Sequence, residues 1–296
     1  MSKPRIIMLT LLLAGCSTIA IDLPPVSETS TGVHDTGRVI WHDLLTTTPE
    51  ASRRFYGELF GWTFETPSIY VGFGSDEDYM LIRHNGRLIG GMLNANTLGR
   101  DTNISQWITM ISVDDIDAAV ERVTANGGAV LTRPTELLSR GSLAVLEGPT
   151  GALFAMIQTR DGDPPSYEPE HDGFLWDELW TNDVANASLF YEHVFSYEPQ
   201  DYPVGDTSRS YRVLRRNEQP LAGVMANPFA DEHPVWVNYL RVEDPAAITS
   251  RVTALGGRII VEAQARDIGG RVAFVAGPSG AGIALQTWPL QEEDAE

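Results

Sequence analysis

The spacing of apolar and polar positions changes period in the same way at two places in the chain. From Trp41 the side chains alternate, so that Trp41, Asp43 and Leu45 share one face of a strand. Further on, Phe55, Leu59 and Phe60 recur at helical spacing. Trp176 to Tyr197 does the same: Trp176, Glu178 and Trp180 share a strand face, and Phe190, Val194 and Phe195 follow at helical spacing. The two stretches align without a gap at an offset of 135, with Trp41 on Trp176, Leu44 on Leu179, Thr46 on Thr181, Phe55-Tyr56 on Phe190-Tyr191 and Phe60 on Phe195. Asp43 meets Glu178, and Trp62 meets Tyr197. Self-similarity at a fixed offset is the mark of a duplication.

The repetition continues. Tyr79 to His84 and Leu88 to Leu93 read as strands joined at Asn85-Gly86, two residues that tolerate positive φ and so favour a hairpin. Tyr211, Arg215, Asn217 and Gly223 match this stretch at an offset of 132. Trp107 to Val113 alternates as a strand, and Asp114-Asp115 caps a helix that runs to about Ala125 and ends at Gly127-Gly128. Strands follow near 129–132, 143–147 and 153–158, with Gly148-Pro149-Thr150-Gly151 as a turn. Trp236, Asp244, Gly256-Gly257, Gly277-Pro278 and Gly280 repeat this part at an offset of 129. Each half therefore reads β-α-β-β-β twice. The expectation is an α+β chain with domains at 37–160 and 173–290, a Pro-rich acidic linker at 161–172 and an acidic tail at 291–296.

Composition narrows the function. At 296 residues the chain is long enough for two ordinary domains, and its 43% hydrophobic and 21% charged content is that of a globular protein. A formal charge of −19 argues against nucleic acid, because phosphate binding needs clustered Lys and Arg. One cysteine, Cys16, excludes an intrachain disulfide, a thiolate metal cluster and a CxxC redox pair.

The start of the chain has its own pattern. Lys3 and Arg5 precede an apolar run, Ile6 to Ala14, that is too short to span a bilayer. Leu13-Ala14-Gly15-Cys16 then resembles the bacterial lipobox, which implies cleavage after residue 15 and a diacylglyceryl group on the Cys16 thiol. Loss of Lys3 and Arg5 takes the formal charge from −19 to −21. Ser17 after the cysteine resembles outer-membrane sorting, so the expected place is the cell envelope, lipid-anchored and facing the periplasm. Residues 16–36, rich in Ser, Thr and Pro, read as a flexible tether.

Phe-Tyr in the first helix, Phe60-Gly61-Trp62 after it, Val-Asp-Asp-Ile-Asp at residues 113–117 and the Gly-Pro-x-Gly turn together resemble the vicinal oxygen chelate (VOC) superfamily of glyoxalases, bleomycin-resistance proteins and extradiol dioxygenases. The resemblance covers Gly37 to Trp288 twice over. It implies two tandem VOC domains, each of paired βαβββ modules forming a cupped mixed sheet. It also implies a divalent ion held by His or Glu early in the first strand of a module and by Glu on the last strand. Carried over, those positions fall on Trp41 and Trp176, near Ile108 and Val237, and on Ala155 and Ala284. None of these side chains ligates a metal. No metal and no cofactor are expected, and the scattered histidines read as solvated surface, with His42 held back as a pocket candidate.

What remains on the expected cup face is Trp41 with Asp43, and Trp176 and Trp180 with Glu178. Aromatic walls around one carboxylate suit a small apolar or aromatic molecule. These five residues are the candidate ligand-binding set. Asp43 and Glu178 are also the candidate catalytic carboxylates, should desolvation turn either into a base. Three functions compete: a metal-independent small-molecule-binding lipoprotein, a VOC-type lyase, isomerase or dioxygenase with a relocated metal or a carboxylate base, and a structural or interaction lipoprotein.

Overall fold

In the computed structural model, residues 22–67, 78–100, 102–203, 210–229, 232–266 and 268–288 are described; the expected signal stretch, Cys16 and the acidic tail lie outside them. The alternating run after Gly37 forms β1 (Val39–Thr46), and Pro49 opens α1 (Pro49–Phe60). Proline suits that position because a first-turn N–H would have no helical partner. Gly61 caps the helix at φ 69° and donates its N–H to the Gly57 carbonyl. The counterpart in the second copy is Ser196, which holds the same left-handed conformation at φ 58°.

The first half continues as β2 (Thr63–Glu65), β3 (Tyr79–His84), β4 (Arg87–Asn94), β5 (Gln106–Ser112), α2 (Ile116–Ala125), β6 (Ala129–Glu136), β7 (Gly141–Glu147) and β8 (Leu153–Thr159). The second repeats it: β9 (Phe174–Thr181), α3 (Val184–Phe195), β10 (Glu198–Pro203), β11 (Ser210–Arg216), β12 (Gln219–Ala226), β13 (Val235–Arg241), α4 (Pro245–Val252), β14 (Arg258–Ala265), β15 (Arg271–Ala276) and β16 (Gly282–Gln286). Each half forms one eight-stranded mixed sheet, ordered β2-β3-β4-β1-β5-β8-β7-β6 and β10-β11-β12-β9-β13-β16-β15-β14. β1 runs parallel to β4 and antiparallel to β5, and β5 runs parallel to β8. Two βαβββ modules thus meet edge to edge at the antiparallel β1–β5 pair. β2 and β10 are edge strands that the apolar spacing does not reveal; β10 is exposed along its whole length, so nothing forces it to alternate.

The two halves share their cores. Phe55, Tyr56, Leu59 and Phe60 of α1 pack with Leu44 and Trp107 of their own half, and with Val252, Ala273, Val275, Ile283 and Leu285 of the other. Phe190, Tyr191, Val194 and Phe195 of α3 pack in turn with Ile111, Val123, Leu146 and Phe154 of the first half. Trp107 and Trp236 lie inside these cores and donate their indole N–H to Tyr56 (3.1 Å) and Tyr191 (2.9 Å). Polar bonds join equivalent positions across the duplication. His42 Nε2 lies 2.8 Å from Asp177 Oδ1, an offset of 135, and Asn238 Nδ2 donates to Thr109 Oγ1 at 2.7 Å, an offset of 129.

Two segments differ from expectation. Residues 22–36, assigned to the flexible tether, pack against the first sheet, because Leu23 and Val26 give this polar stretch two apolar anchors that become buried. Linker residue Asp163 is fully buried and accepts hydrogen bonds from Ser112 Oγ, Thr159 Oγ1 and the Asp35 and Thr31 segment, so the two connecting segments lie together rather than free. His84 is also buried rather than solvated, its Nε2 lying 2.8 Å from the His171 carbonyl.

Candidate functional site

The odd-numbered positions of β1 (Trp41, Asp43, Leu45) and, because the offset of 135 is odd, the even-numbered positions of β9 (Trp176, Glu178, Trp180) face away from the shared cores and into the two cups. In the first cup, Trp41 pairs in register with Met110 of β5, which pairs with Ala155 of β8. Trp41 Nε1 and the Tyr79 hydroxyl both donate to Asp43 Oδ1, at 2.8 and 3.0 Å. Arg140 Nη1 donates to the Tyr79 hydroxyl at 2.7 Å, and its guanidinium carbon stands 4.8 Å from the Trp41 ring centre. Gly91 of β4 lets this cluster sit on the backbone: a Cβ there would come within 2.1 Å of the Tyr79 hydroxyl and 2.3 Å of Asp43 Oδ1. Burial raises the Asp43 carboxyl above its usual range, although Arg140 and the donated hydrogen bonds pull the other way.

This cup is covered by the chain itself. Leu23 and Val26 join the apolar cluster of Trp41, Tyr79, Leu81, Met110, Leu137 and Ile157. Leu23 N donates to Leu137 O (3.3 Å), Arg140 Nε donates to Pro24 O (2.9 Å), and Ser139 N donates to Asp22 Oδ1 (3.0 Å). Beneath this strap Trp41 and Arg140 each retain only 1% exposure.

The second cup has related chemistry with a different wiring. Glu178, fully buried, accepts from Arg266 Nη2 through both oxygens (3.0 and 2.5 Å), from Trp180 Nε1 (3.1 Å) and from the Tyr211 hydroxyl (3.2 Å). Trp176 Nε1 donates to Tyr211 rather than to the carboxylate, at 2.7 Å. The Arg266 guanidinium also lies 4.9 Å from the Tyr239 ring centre. Burial, then the Glu178 charge, push the Tyr211 and Tyr239 phenols well above their usual range. Burial opposes the Arg266 charge, but Glu178 together with the Tyr239 and Tyr211 phenols outweighs it and raises the group's pKa. Around this network Trp180 packs 5.0 Å from Phe274 and 5.9 Å from Phe229, with Met225, Val235 and Val272 alongside. The apolar cluster of this cup, among the described residues, draws only on the second half, and Trp176, Phe229 and Phe274 remain partly exposed.

The five candidate residues therefore fall into two separate sites, Trp41 with Asp43 and Trp176, Trp180 with Glu178. Tyr79, Tyr211, Tyr239, Arg140 and Arg266 complete the sites and were not singled out from sequence. Tyr79 and Tyr211 match at the offset of 132, a signal that was present. The arginines are hidden by the repeat. Leu137 N and Arg266 N make the same turn hydrogen bond, to Gly141 O and Gly270 O, so the alignment sets Arg266 on Leu137 and Arg140 on Gly269. Each hairpin supplies its arginine from a different corner.

These residues do not fit the divalent ion that the family resemblance implies. The in-register rows are Trp41–Met110–Ala155 and Trp176–Tyr239–Ala284, the carboxylate of the second cup is already engaged by a guanidinium, and a second cation there would be repelled. Among the described residues no three His, Cys, Asp or Glu side chains cluster to hold a metal. His42 lines neither cup. It stacks on Phe174 at 3.8 Å and borders a cleft of about 380 Å³ between the first sheet and residues 164–174.

Comparison with known proteins agrees with this architecture. At 29% identity over 241 residues, the chain resembles the putative glyoxylase CFP32 of Mycobacterium tuberculosis, covering 81% of this chain and 91% of that protein. It resembles the anthracycline biosynthesis protein DnrV of Streptomyces peucetius at 29% over 259 residues, covering 84% and 92%. The Mn(II)-bound glyoxalase from Novosphingobium aromaticivorans shares the fold with a TM-score of 0.60 at 16% identity, covering 88% of this chain and 84% of that one. Homoprotocatechuate 2,3-dioxygenase from B. fuscum shares it at 0.55 and 13%, covering 89% and 74%. The sequence model of one family matches residues 38–156 and again 173–285, and the chain belongs to that family, the glyoxalase/bleomycin resistance protein/dioxygenase superfamily.

Proposed function

We propose that the protein is an envelope lipoprotein, anchored through Cys16 at the periplasmic face of the outer membrane, whose second cup binds a planar apolar or aromatic molecule without a metal ion. One observation carries the binding site. The first cup is filled by the strap, whereas the second leaves Trp176, Phe229 and Phe274 partly exposed around a buried charge pair. Ring stacking of this kind adds about 0.5–1.5 kcal/mol beyond area burial, which favours a flat ligand. Glu178 has its acceptors engaged and serves to hold Arg266, so the guanidinium is the group that orients a carbonyl or carboxylate of the ligand. The likeness to an anthracycline biosynthesis protein supports a fused-ring aromatic as the class to try first.

The test is elemental analysis of the purified protein, followed by titration of fused-ring aromatic acids and ketones under tryptophan fluorescence. Saturable binding that Trp176→Ala weakens about tenfold, an amount equal to about 1.4 kcal/mol, is expected. Near-stoichiometric Zn, Ni, Fe or Mn surviving dialysis, with activity that a chelator abolishes, would instead establish a metalloenzyme.

A further inference from the structure

The strap determines which side of the molecule an anchor can reach. Asp22 is held at the tip of the β6–β7 hairpin by Ser139 N, and Leu23 is pinned to Leu137 O one residue later. Cys16 stands six residues before Asp22, and six residues span at most about 20 Å when fully extended. A tether free as far as Thr36 would have reached about 70 Å and allowed any orientation. With the strap docked, lipid on Cys16 brings this hairpin to the bilayer.

The hairpin tip has a matching surface. Leu138 is exposed and sits at φ 45°, a left-handed conformation that a leucine adopts only at a cost. Its neighbours Leu137 and Arg140 turn inward, so the strain serves to point one aliphatic side chain outward. Arg160, also exposed, donates to the Leu138 carbonyl and pairs with Glu136, and Arg133 is exposed on the same strand that leads into the tip. Arg133, Arg140 and Arg160 offset all but about one of the charges of Asp22, Glu136 and the neighbouring Glu28 and Asp161, so the tip lacks the strong negative field that the whole chain would present to anionic headgroups.

We propose that the β6–β7 hairpin tip, with Leu138 at its apex and Arg133 and Arg160 beside it, is the surface that rests on the bilayer. Leu138 enters the interfacial layer while the guanidiniums stay at the level of the lipid phosphates. The membrane-facing role rests on the proposed anchoring at Cys16. The geometry can be tested without the cell's lipidation machinery, by coupling the chain from Cys16 onward through its one cysteine to a maleimide lipid in phosphatidylcholine vesicles. A benzophenone amino acid is placed at position 138, or at position 264 on β14 of the other sheet as a control. Irradiation should yield lipid adducts from position 138 in at least about fivefold excess over position 264. Releasing the strap with Leu23→Asp and Val26→Asp should reduce that excess towards one while the coupled amount stays the same. Equal adducts at the two positions with the native strap would overturn the orientation. A free Cys16 thiol in the cell-made protein, read by intact mass, would overturn the anchoring and leave this face no membrane to meet.

Discussion

Asp43 shows how one side chain can carry a measurable signature of its site. Its Oδ1 accepts from both Trp41 and Tyr79, and burial raises its carboxyl above the usual range. The folded state therefore keeps the proton to higher pH than the unfolded chain does. A group of that kind costs stability progressively as pH climbs from the unfolded value, near pH 4, through the folded value. Asp43→Asn keeps the accepting oxygen and removes the charge. Its melting temperature relative to the native protein should rise as pH climbs above about 4, measured by calorimetry in parallel scans. A difference that stays flat would mean that Arg140 and the donated hydrogen bonds cancel the effect of burial on Asp43.

Among the elements, the turns after α2 and α4 hold the two halves together. The ring of Phe55 on α1 lies against Gly257 after α4, and the ring of Phe190 on α3 lies against Gly128 after α2. A Cβ at Gly257 would sit 2.5 Å from the Phe55 ring and 2.8 Å from the Ala276 carbonyl. The backbone cannot withdraw as a side chain can, so Gly257→Ala should cost about 1–3 kcal/mol by overpacking. Denaturant midpoints test this, and a loss under half that size would show that α1 slides freely. The elements themselves were largely legible in the sequence. Asp115 caps α2 as expected, Asn85-Gly86 turns the hairpin, and the three offsets pair every module with its copy. The strap was not legible, because two apolar residues among Ser, Thr and Pro make no periodic signal. Nor were the cup arginines, since a side chain as long as arginine reaches the same point from several backbone positions, and a repeat alignment compares positions only.

For the whole molecule, the shared cores make the two halves one cooperative unit, although the chain reads as two domains in sequence. Without the second half, Phe55, Leu59, Phe60 and Trp62 lose the part of their cluster that it supplies, which includes Phe174 and the residues of β15 and β16. Burying such a side chain is worth about 1.5–3 kcal/mol. Four of them approach the whole stability of an ordinary domain, about 5–15 kcal/mol. Residues 22–160 expressed alone should be unfolded or self-associated by circular dichroism and gel filtration. A monomeric fragment that melts cooperatively would contradict this.

The crossed packing of α1 on β15 and β16 also sets a timetable. A chain that leaves a ribosome or crosses a membrane from its first residue delivers α1 long before its covering strands, which are about 220–230 residues further along the chain. Contacts so distant in sequence are slow to form. Through that interval the first sheet must expose the rings of α1, together with the unpaired edges of its strands, to water. A holding chaperone in the compartment of folding would find its binding surface there, and would be released only when Leu285 arrives.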